Sequence, residues 1–149
     1  MATLQRESDV AATREAVVAG LSAYNAARVG PRNSEPVALS LRDDHGVIVG
    51  GLIGELKWEW LHIDLLWIDE AHRGAGHGEA LVALAETTAR ERGARGVYLS
   101  TMSIQAPQFY PRLGYQPCGV MEDYPVAGHR IHHAAHLHTN LPRLLLFHH

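Results

Sequence analysis

The sequence has little of what marks secreted, membrane or nucleic-acid-binding proteins. It contains one cysteine among 149 residues, Cys118, which excludes an internal disulfide and suits a reducing compartment. No apolar run approaches the ~20 residues that a membrane span needs, and the first residues lack the apolar core of a signal peptide. The formal net charge of −3 argues against general binding of nucleic acid. These absences predict a cytoplasmic protein with neither a membrane nor a nucleic acid as its partner.

What is present is the composition of a globular domain. The chain is 46% hydrophobic and 19% charged, and its length suits one domain spanning residues 1–149. Apolar periodicity and turn residues predict nine helices and strands in order. These are a helix at 10–28, strands at 37–41, 47–57 and 58–68, a helix at 79–92, a strand at 97–101, a helix at 107–113, and strands at 115–121 and 129–138, with a hairpin turn at 43–46. Such an order predicts an α+β fold, a mostly antiparallel sheet flanked by helices.

A glycine-rich segment stands between the apolar run at 61–68 and the helical run that follows it. It consists of Arg73, Gly74, Ala75, Gly76, His77 and Gly78. Alternating glycines free backbone N–H groups at a helix start, where the helix dipole favours negative charge, and an arginine adds a forked donor for phosphate. The segment therefore predicts a pyrophosphate-binding turn. A tight turn with no ligand is the alternative that this segment alone leaves open.

A second motif lies about thirty residues downstream, and the two together resemble the GCN5-related N-acetyltransferase (GNAT) family. The first motif reads Arg73-x-x-Gly76-x-Gly78, and the second reads Phe109-Tyr110-x-x-x-Gly114-Tyr115. The resemblance covers residues 46–121 best. It implies a twisted sheet split into a V, acetyl-CoA as co-substrate, and transfer of an acetyl group to an amine.

The resemblance also implies roles for residues on the cofactor side. Tyr110 matches the tyrosine that acts as general acid toward the CoA sulfur, and Ser103 stands where many members have an asparagine. The backbone at the end of the preceding strand would bind the pantetheine arm, and residues 73–78 the pyrophosphate. The strand-end residues are Leu66, Trp67 and Ile68.

Base candidates lie on the strand predicted at 58–68. His62 and Asp64 match positions where some members carry paired histidines that help to deprotonate the amine. Strict alternation would place them on one face with Leu66 and Ile68, opposite a core face. That core face would consist of Leu61, Ile63, Leu65 and Trp67. The apolar neighbours of Asp64 predict a desolvated carboxylate with a raised pKa, although an ion pair with an arginine is the alternative.

The acceptor is the least determined part. Tyr24 and Asn25, together with the carboxylates of Glu122 and Asp123, are candidates for binding a cationic amine of a small molecule or peptide. A catalytically silent acyl-CoA-binding sensor is the alternative function, and homodimerisation is left open. The histidine-rich segment at 129–138 is interpreted as a polar strand face, with no metal site predicted.

Overall fold

The computed structural model describes residues 1–102, 108–124 and 128–137, which fall into two compact units. The first unit is Met1–Asn33, and the second begins at Ser34. No helix in these ranges is both long and apolar enough to cross a bilayer. The single domain expected over residues 1–149 stays a prediction.

The first unit contains helix α1, Val10–Val29. Asp9 caps its start, because the Asp9 Oδ1 accepts a hydrogen bond of 2.9 Å from the backbone N–H of Ala12. Gly30 ends it with a φ of 85°. The helix predicted at residues 10–28 is therefore found within one residue at its end.

The second unit is built on one six-stranded sheet. Its strands are β1 (Glu35–Arg42), β2 (Ile48–Lys57), β3 (Trp60–Ile68), β4 (Gly96–Met102), β5 (Gln116–Glu122) and β6 (His129–His136). They lie in the order β1-β2-β3-β4-β6-β5, and every neighbouring pair except β3 and β4 is antiparallel. The predicted α+β class with a mostly antiparallel sheet is confirmed.

Strands β3 and β4 pair only at their beginnings. The parallel register joins Trp60–Gly96, Leu61–Val97 and His62–Tyr98 and, within the described residues, goes no further. Beyond that point β3 runs to Ile68 and β4 to Met102 without a shared ladder. The two strands therefore separate, which confirms the V-shaped split that the resemblance implied.

A β-bulge at Asp64 divides β3. Ile63 pairs with Gly54 and Leu65 pairs with Ile53, so Asp64 is an extra residue with no counterpart on β2. A Cβ on Gly54 would lie 2.6 Å from the carbonyl oxygen of His62, so the close approach at the bulge requires glycine there.

The bulge corrects the predicted faces of β3. Leu61 and Ile63 are buried as expected, but Leu65 is 61% exposed and Trp67 is 51% exposed, while Leu66 packs against the core. The predicted core face of Leu61, Ile63, Leu65 and Trp67 is therefore wrong beyond Asp64, because one extra residue exchanges the two faces. Asp64 is also exposed, so the desolvation expected for its carboxylate is absent.

The predicted start of β3 also needs correction. Trp58 and Glu59 have φ values of 46° and 66°, and Lys57 pairs with Trp60, so these two residues form the hairpin loop between β2 and β3. The prediction placed both residues in the strand because neither is a usual residue for such a turn. Arg95 donates to both the backbone oxygen and the carboxylate of Glu59, which supports the conformation.

Two helices pack on the sheet beside the split. Helix α2, His77–Glu91, presents Leu81, Val82, Ala85 and Ala89 to the core, and α3 is the short helix Phe109–Arg112. Of the longer helix predicted at 107–113, only Phe109–Arg112 is helical among the described residues, and Pro107 lies outside them. Tyr115 donates a buried hydrogen bond of 2.7 Å to Glu86 Oε2, which ties the residue after α3 to α2. Both helices are thus held in place at the mouth of the split.

Candidate active site

A cavity of about 970 Å³ occupies the split between β3 and β4. Residues 63–68 of β3 line one side, Leu99, Ser100 and Thr101 of β4 line another, and α3 contributes Tyr110. The turn before α2 closes one end. All of these elements belong to the second unit.

The glycine-rich turn has the geometry that an anion needs. Gly74 and Gly76 have φ values of 80° and 83°, and a Cβ on either would meet nothing within 4 Å. Gly76 is the N-cap of α2, so the first N–H groups of that helix lack partners within the helix. The Arg73 Nε donates to the Ile68 carbonyl at 2.9 Å, which fastens the turn to the end of β3.

Most of the predicted cofactor residues meet at this cavity. Eight of them line it, and they are Leu66, Trp67, Ile68, Arg73, Gly74, Gly76, His77 and Gly78. Ala75 is exposed and is not among the lining residues. Ser103 lies outside the described residues.

Tyr110 lines the cavity and is itself 7% exposed. Its ring makes edge contacts with Phe109 and Tyr115, with ring centroids 4.9 and 5.5 Å apart. Burial raises the pKa of the Tyr110 hydroxyl to about 12. The hydroxyl therefore keeps its proton at neutral pH and can donate it.

A second hollow, of about 560 Å³, lies beside the cavity and shares Asp64 with it. Glu55, His62 and Ser34 also line this hollow, and the Ser34 hydroxyl donates a hydrogen bond to Glu55. His62 stacks on Tyr98 with centroids 4.7 Å apart. Burial, followed by the nearby charge of Lys57, lowers the pKa of His62 from its ordinary value. The bulge residue Asp64 thus stands between a cavity with a cationic turn and a hollow lined by carboxylates.

The predicted acceptor residues are divided between the two units. Tyr24 and Asn25 lie near the end of α1 in the first unit, where the guanidinium of Arg28 stacks on the Tyr24 ring at 4.2 Å. Glu122 ends β5 and Asp123 follows it with a φ of 56°. Both carboxylates are exposed, and neither is among the residues that line the two hollows.

His133 is a residue that the sequence interpretation missed. It is 1% exposed, it contacts the Tyr110 ring at a centroid distance of 5.8 Å, and its Nε2 lies 3.2 Å from the Thr101 hydroxyl. Burial, followed by the charge of His132, lowers its pKa. The sequence did contain a signal for this burial. Ile131, Ala135 and Leu137 lie at every second position from His133, so they share its face of the strand and mark that face as the buried one.

The histidine-rich segment forms β6. His132 and His136 are exposed while His133 is buried, so only part of the segment is the predicted polar face. Within residues 1–102, 108–124 and 128–137, no three His, Cys, Asp or Glu side chains lie close enough to hold a metal ion. His138 lies outside these ranges.

Comparison with known proteins identifies the class to which this fold and cavity belong. The Acetyltransferase (GNAT) family model matches residues 9–115, and the chain belongs to this family. The resemblance drawn from the two motifs is thereby confirmed, and so is acetyl-CoA as the co-substrate of the family.

Individual relatives support the same assignment. The chain is 48% identical over 83 residues to blasticidin-S acetyltransferase of Streptomyces morookaense, a match covering 55% of this chain and 61% of that protein. It is 39% identical over 114 residues to an acetyltransferase of Agrobacterium fabrum, covering 75% and 83% of the two chains. The crystal structure of an acetyltransferase from Bacillus cereus superposes with a TM-score of 0.83 at 32% identity, covering 90% and 98%. The protein is therefore an acetyltransferase by family.

Proposed function

We propose that this protein transfers the acetyl group of acetyl-CoA to a primary amine of a small molecule or peptide by direct attack on the thioester. The observation that carries the proposal is the position of Asp64. It lines both the cavity that contains the glycine-rich turn and the hollow that contains Glu55 and His62. In this proposal acetyl-CoA, the acetyl donor, binds in the cavity and the acceptor amine binds in the hollow. A carboxylate at that junction lies between the two.

The cavity fits acetyl-CoA by its chemistry. The left-handed glycines leave open space beside the N-terminus of α2, and Arg73 supplies positive charge, which together suit a diphosphate. Backbone groups of residues 66–68 lie along the strand end that has separated from β4 and suit the amide groups of pantetheine. The acetyl thioester would then lie deeper in the split, toward Asp64 and Tyr110.

The acceptor amine arrives mostly as an ammonium, because a lysine-like amine with a pKa of ~10.4 is less than ~0.1% neutral at pH 7. Asp64 takes its proton directly or through a water, and His62, Glu55 or both are the candidates if Asp64 does not. The amine nitrogen then bonds to the thioester carbon and the carbon–sulfur bond breaks. Tyr110, which is still protonated at neutral pH, donates its proton to the departing thiolate, and the second proton that the nitrogen loses as the amide forms restores the Tyr110 hydroxyl.

The second hollow favours a cationic acceptor. Its charged lining residues include the carboxylates of Glu55 and Asp64, which attract an ammonium group. The Streptomyces morookaense relative, a blasticidin-S acetyltransferase, supports a small-molecule acceptor, although that match spans 61% of the relative's length. Tyr24, Asn25, Glu122 and Asp123 stay proposed contacts for parts of the acceptor beyond the reacting amine. We place the reaction in the cytoplasm, and homodimerisation stays open.

The test is amine-dependent release of CoA from acetyl-CoA, measured over a panel of polyamines, amino acids, antibiotics that carry an amino group, and peptides. We expect turnover with at least one cationic amine. The Tyr110→Phe variant should lower kcat roughly 10²-fold and leave acetyl-CoA binding nearly unchanged, because only protonation of the thiolate is lost. Tyr124→Phe, at an exposed tyrosine two residues after β5, is the matched control and should keep full activity.

Two outcomes would contradict the proposal. If acetyl-CoA binds but no amine releases CoA, the alternative of a silent acyl-CoA-binding module is favoured. If turnover occurs and Tyr110→Phe has the same kcat as the unmodified protein under chemistry-limited conditions, Tyr110 is not the acid.

A further inference from the structure

His133 and Thr101 form a polar pair that the proposed acid and base do not use. His133 Nε2 and Thr101 Oγ1 are 3.2 Å apart, and the two residues lie diagonally across the β4–β6 ladder. His133 is almost wholly buried, and among the described residues its Nδ1 has no hydrogen-bond partner. Thr101 lines the cavity, whereas His133 lies behind it against the Tyr110 ring.

The missing partner determines which way the hydrogen bond runs. A neutral imidazole carries one N–H, and a buried N–H left without an acceptor costs more than an unfilled lone pair. The proton of His133 therefore belongs on Nε2, where it has a partner, and Nδ1 carries the lone pair. His133 is then the donor and the Thr101 oxygen is the acceptor in this hydrogen bond.

The direction of this bond leaves the Thr101 hydroxyl hydrogen free to point elsewhere. Because His133 occupies one lone pair of the oxygen, the O–H is free to turn toward the cavity that Thr101 lines. Thr101 lies three residues beyond Tyr98, the last residue of β4 that pairs with β3, so it belongs to the part of β4 that has separated from β3. Tyr110 lines the same cavity, and the His133 ring that bonds to Thr101 also contacts the Tyr110 ring.

We propose that the Thr101 hydroxyl donates a hydrogen bond to the carbonyl oxygen of the acetyl thioester, and that His133 is the positioning residue that turns this hydroxyl toward the cavity. This inference rests on the proposed function, which gives the position of the thioester in the cavity. As the amine nitrogen bonds to the carbonyl carbon, the carbonyl oxygen gains negative charge, and a donor already aimed at it stabilises that charge. The Tyr110 hydroxyl donates its proton to the CoA sulfur, whereas the Thr101 hydroxyl donates a hydrogen bond to the carbonyl oxygen.

The first measurement needs no acceptor. The infrared stretch of acetyl-CoA labelled with ¹³C at the thioester carbonyl should move to lower frequency when it binds the unmodified protein. Thr101→Val, which removes the hydroxyl, should abolish most of that movement, and Thr101→Ser should keep it. An equal frequency in the unmodified protein and Thr101→Val, both saturated with acetyl-CoA, would overturn the proposal.

The second measurement uses turnover. Thr101→Val should lower kcat about 10²-fold with little change in acetyl-CoA binding, as for loss of one donor to a developing oxyanion. His133→Phe keeps a ring against Tyr110. Made alone, it should lower kcat, but added to the Thr101→Val variant it should lower kcat no further. His133→Gln, which restores an N–H donor, should recover part of the rate. Equal losses from His133→Phe in both backgrounds would show that His133 does not act through Thr101.

The two measurements separate this inference from the function on which it rests. A frequency shift that depends on Thr101, without release of CoA by any amine, would contradict the proposed amine transfer and support the Thr101 contact. Amine turnover that is unaffected by Thr101→Val, with no dependence of the frequency on Thr101, would support the function and overturn the contact. Thermal unfolding of each variant checks that substituting a residue of the buried pair has not destabilised the fold.

Discussion

The two halves of β3 belong to one strand but have different surroundings. Residues 60–62 pair with β2 on one side and β4 on the other, and the side chains of residues 60–63 alternate between buried and half-buried positions. Residues 65–68 pair with β2 alone among the described strands, and they line the cavity. The bulge at Asp64 is the boundary between a closed half and an open half.

The difference shows how the sheet combines stability with a site. The closed half supplies Leu61 and Ile63 to the core, whereas the open half exposes Leu65 and Trp67 and leaves backbone groups on its β4 side for a ligand. The base candidates stand at the boundary, with His62 ending the closed half and Asp64 forming the bulge. Each prediction below tests one side of this boundary against the other.

The largest expected effect is on stability and comes from one substitution made on each side. Leu61→Ala, at a fully buried position, should lower the free energy of unfolding by about 2–5 kcal/mol. Leu65→Ala, at a position 61% exposed, should lower it by about 0.5 kcal/mol. Urea denaturation followed by circular dichroism measures both values. Similar losses would mean that the bulge does not exchange the faces.

Asp64 tests the boundary itself. If its carboxylate takes the ammonium proton, Asp64→Asn should lower kcat/KM roughly 10²-fold and remove the acid limb of its pH profile. A carboxylate that only holds the cation should instead raise the KM of the acceptor and leave kcat nearly intact. Asp44→Asn, on the exposed turn between β1 and β2, is the matched control. Unchanged kcat and KM in Asp64→Asn would move the search for the base to His62 and Glu55.

Gly76 tests whether the open half depends on the turn that borders it. Gly76→Val places a β-branched side chain at a φ of 83°, which costs about 1–3 kcal/mol and distorts the N-terminus of α2. We expect acetyl-CoA affinity to fall about 10- to 100-fold, and the rise in melting temperature on adding acetyl-CoA to disappear. Gly46→Val has a similar φ of 80° on a turn away from the cavity. It should lose comparable stability and keep the full shift, and loss of the shift in both variants would contradict a local role for Gly76.

The smallest expected effect concerns pH and the closed half. The pKa of His62 is lowered below its ordinary 6.5, first by burial and then by Lys57 and Arg130, against the opposing charges of Asp64 and Glu55. The unfolded chain therefore binds the proton more readily, and stability falls as pH drops below about 6.5. His62→Phe keeps a ring on Tyr98 and should show a shallower fall in melting temperature between pH 7 and pH 5. An equal fall would assign the acid sensitivity elsewhere, with His133 as the next candidate.

The sequence predicted those parts of the fold and site that depend on local signals. The glycine spacing and Tyr110 lie where the motifs indicated, and most strand and helix bounds agree to within a few residues. Turn residues such as those at 43–46 identified the hairpin between β1 and β2, where the Asp43 side chain accepts from the backbone N–H groups of His45 and Val47.

The errors have non-local causes. The Trp58–Glu59 turn depends on support from Arg95, which is distant in sequence. The bulge at Asp64 depends on the register with β2 and on the glycine opposite, so no pattern within β3 alone could reveal it. The second hollow brings together side chains from three strands and Ser34 before them, and the His133–Thr101 pair joins β6 to β4.

The bulge also links two positions in the evolution of the chain. Insertions of one residue are usually tolerated in loops, but here the extra residue lies inside a strand, where it is accommodated because Gly54 has no side chain. A descendant that replaced this glycine with a larger residue would gain by deleting one residue of β3, and a descendant that lost the extra residue would no longer need the glycine. We therefore expect the glycine and the extra residue to be inherited together, and distant homologues without the glycine to align with a one-residue gap at Asp64.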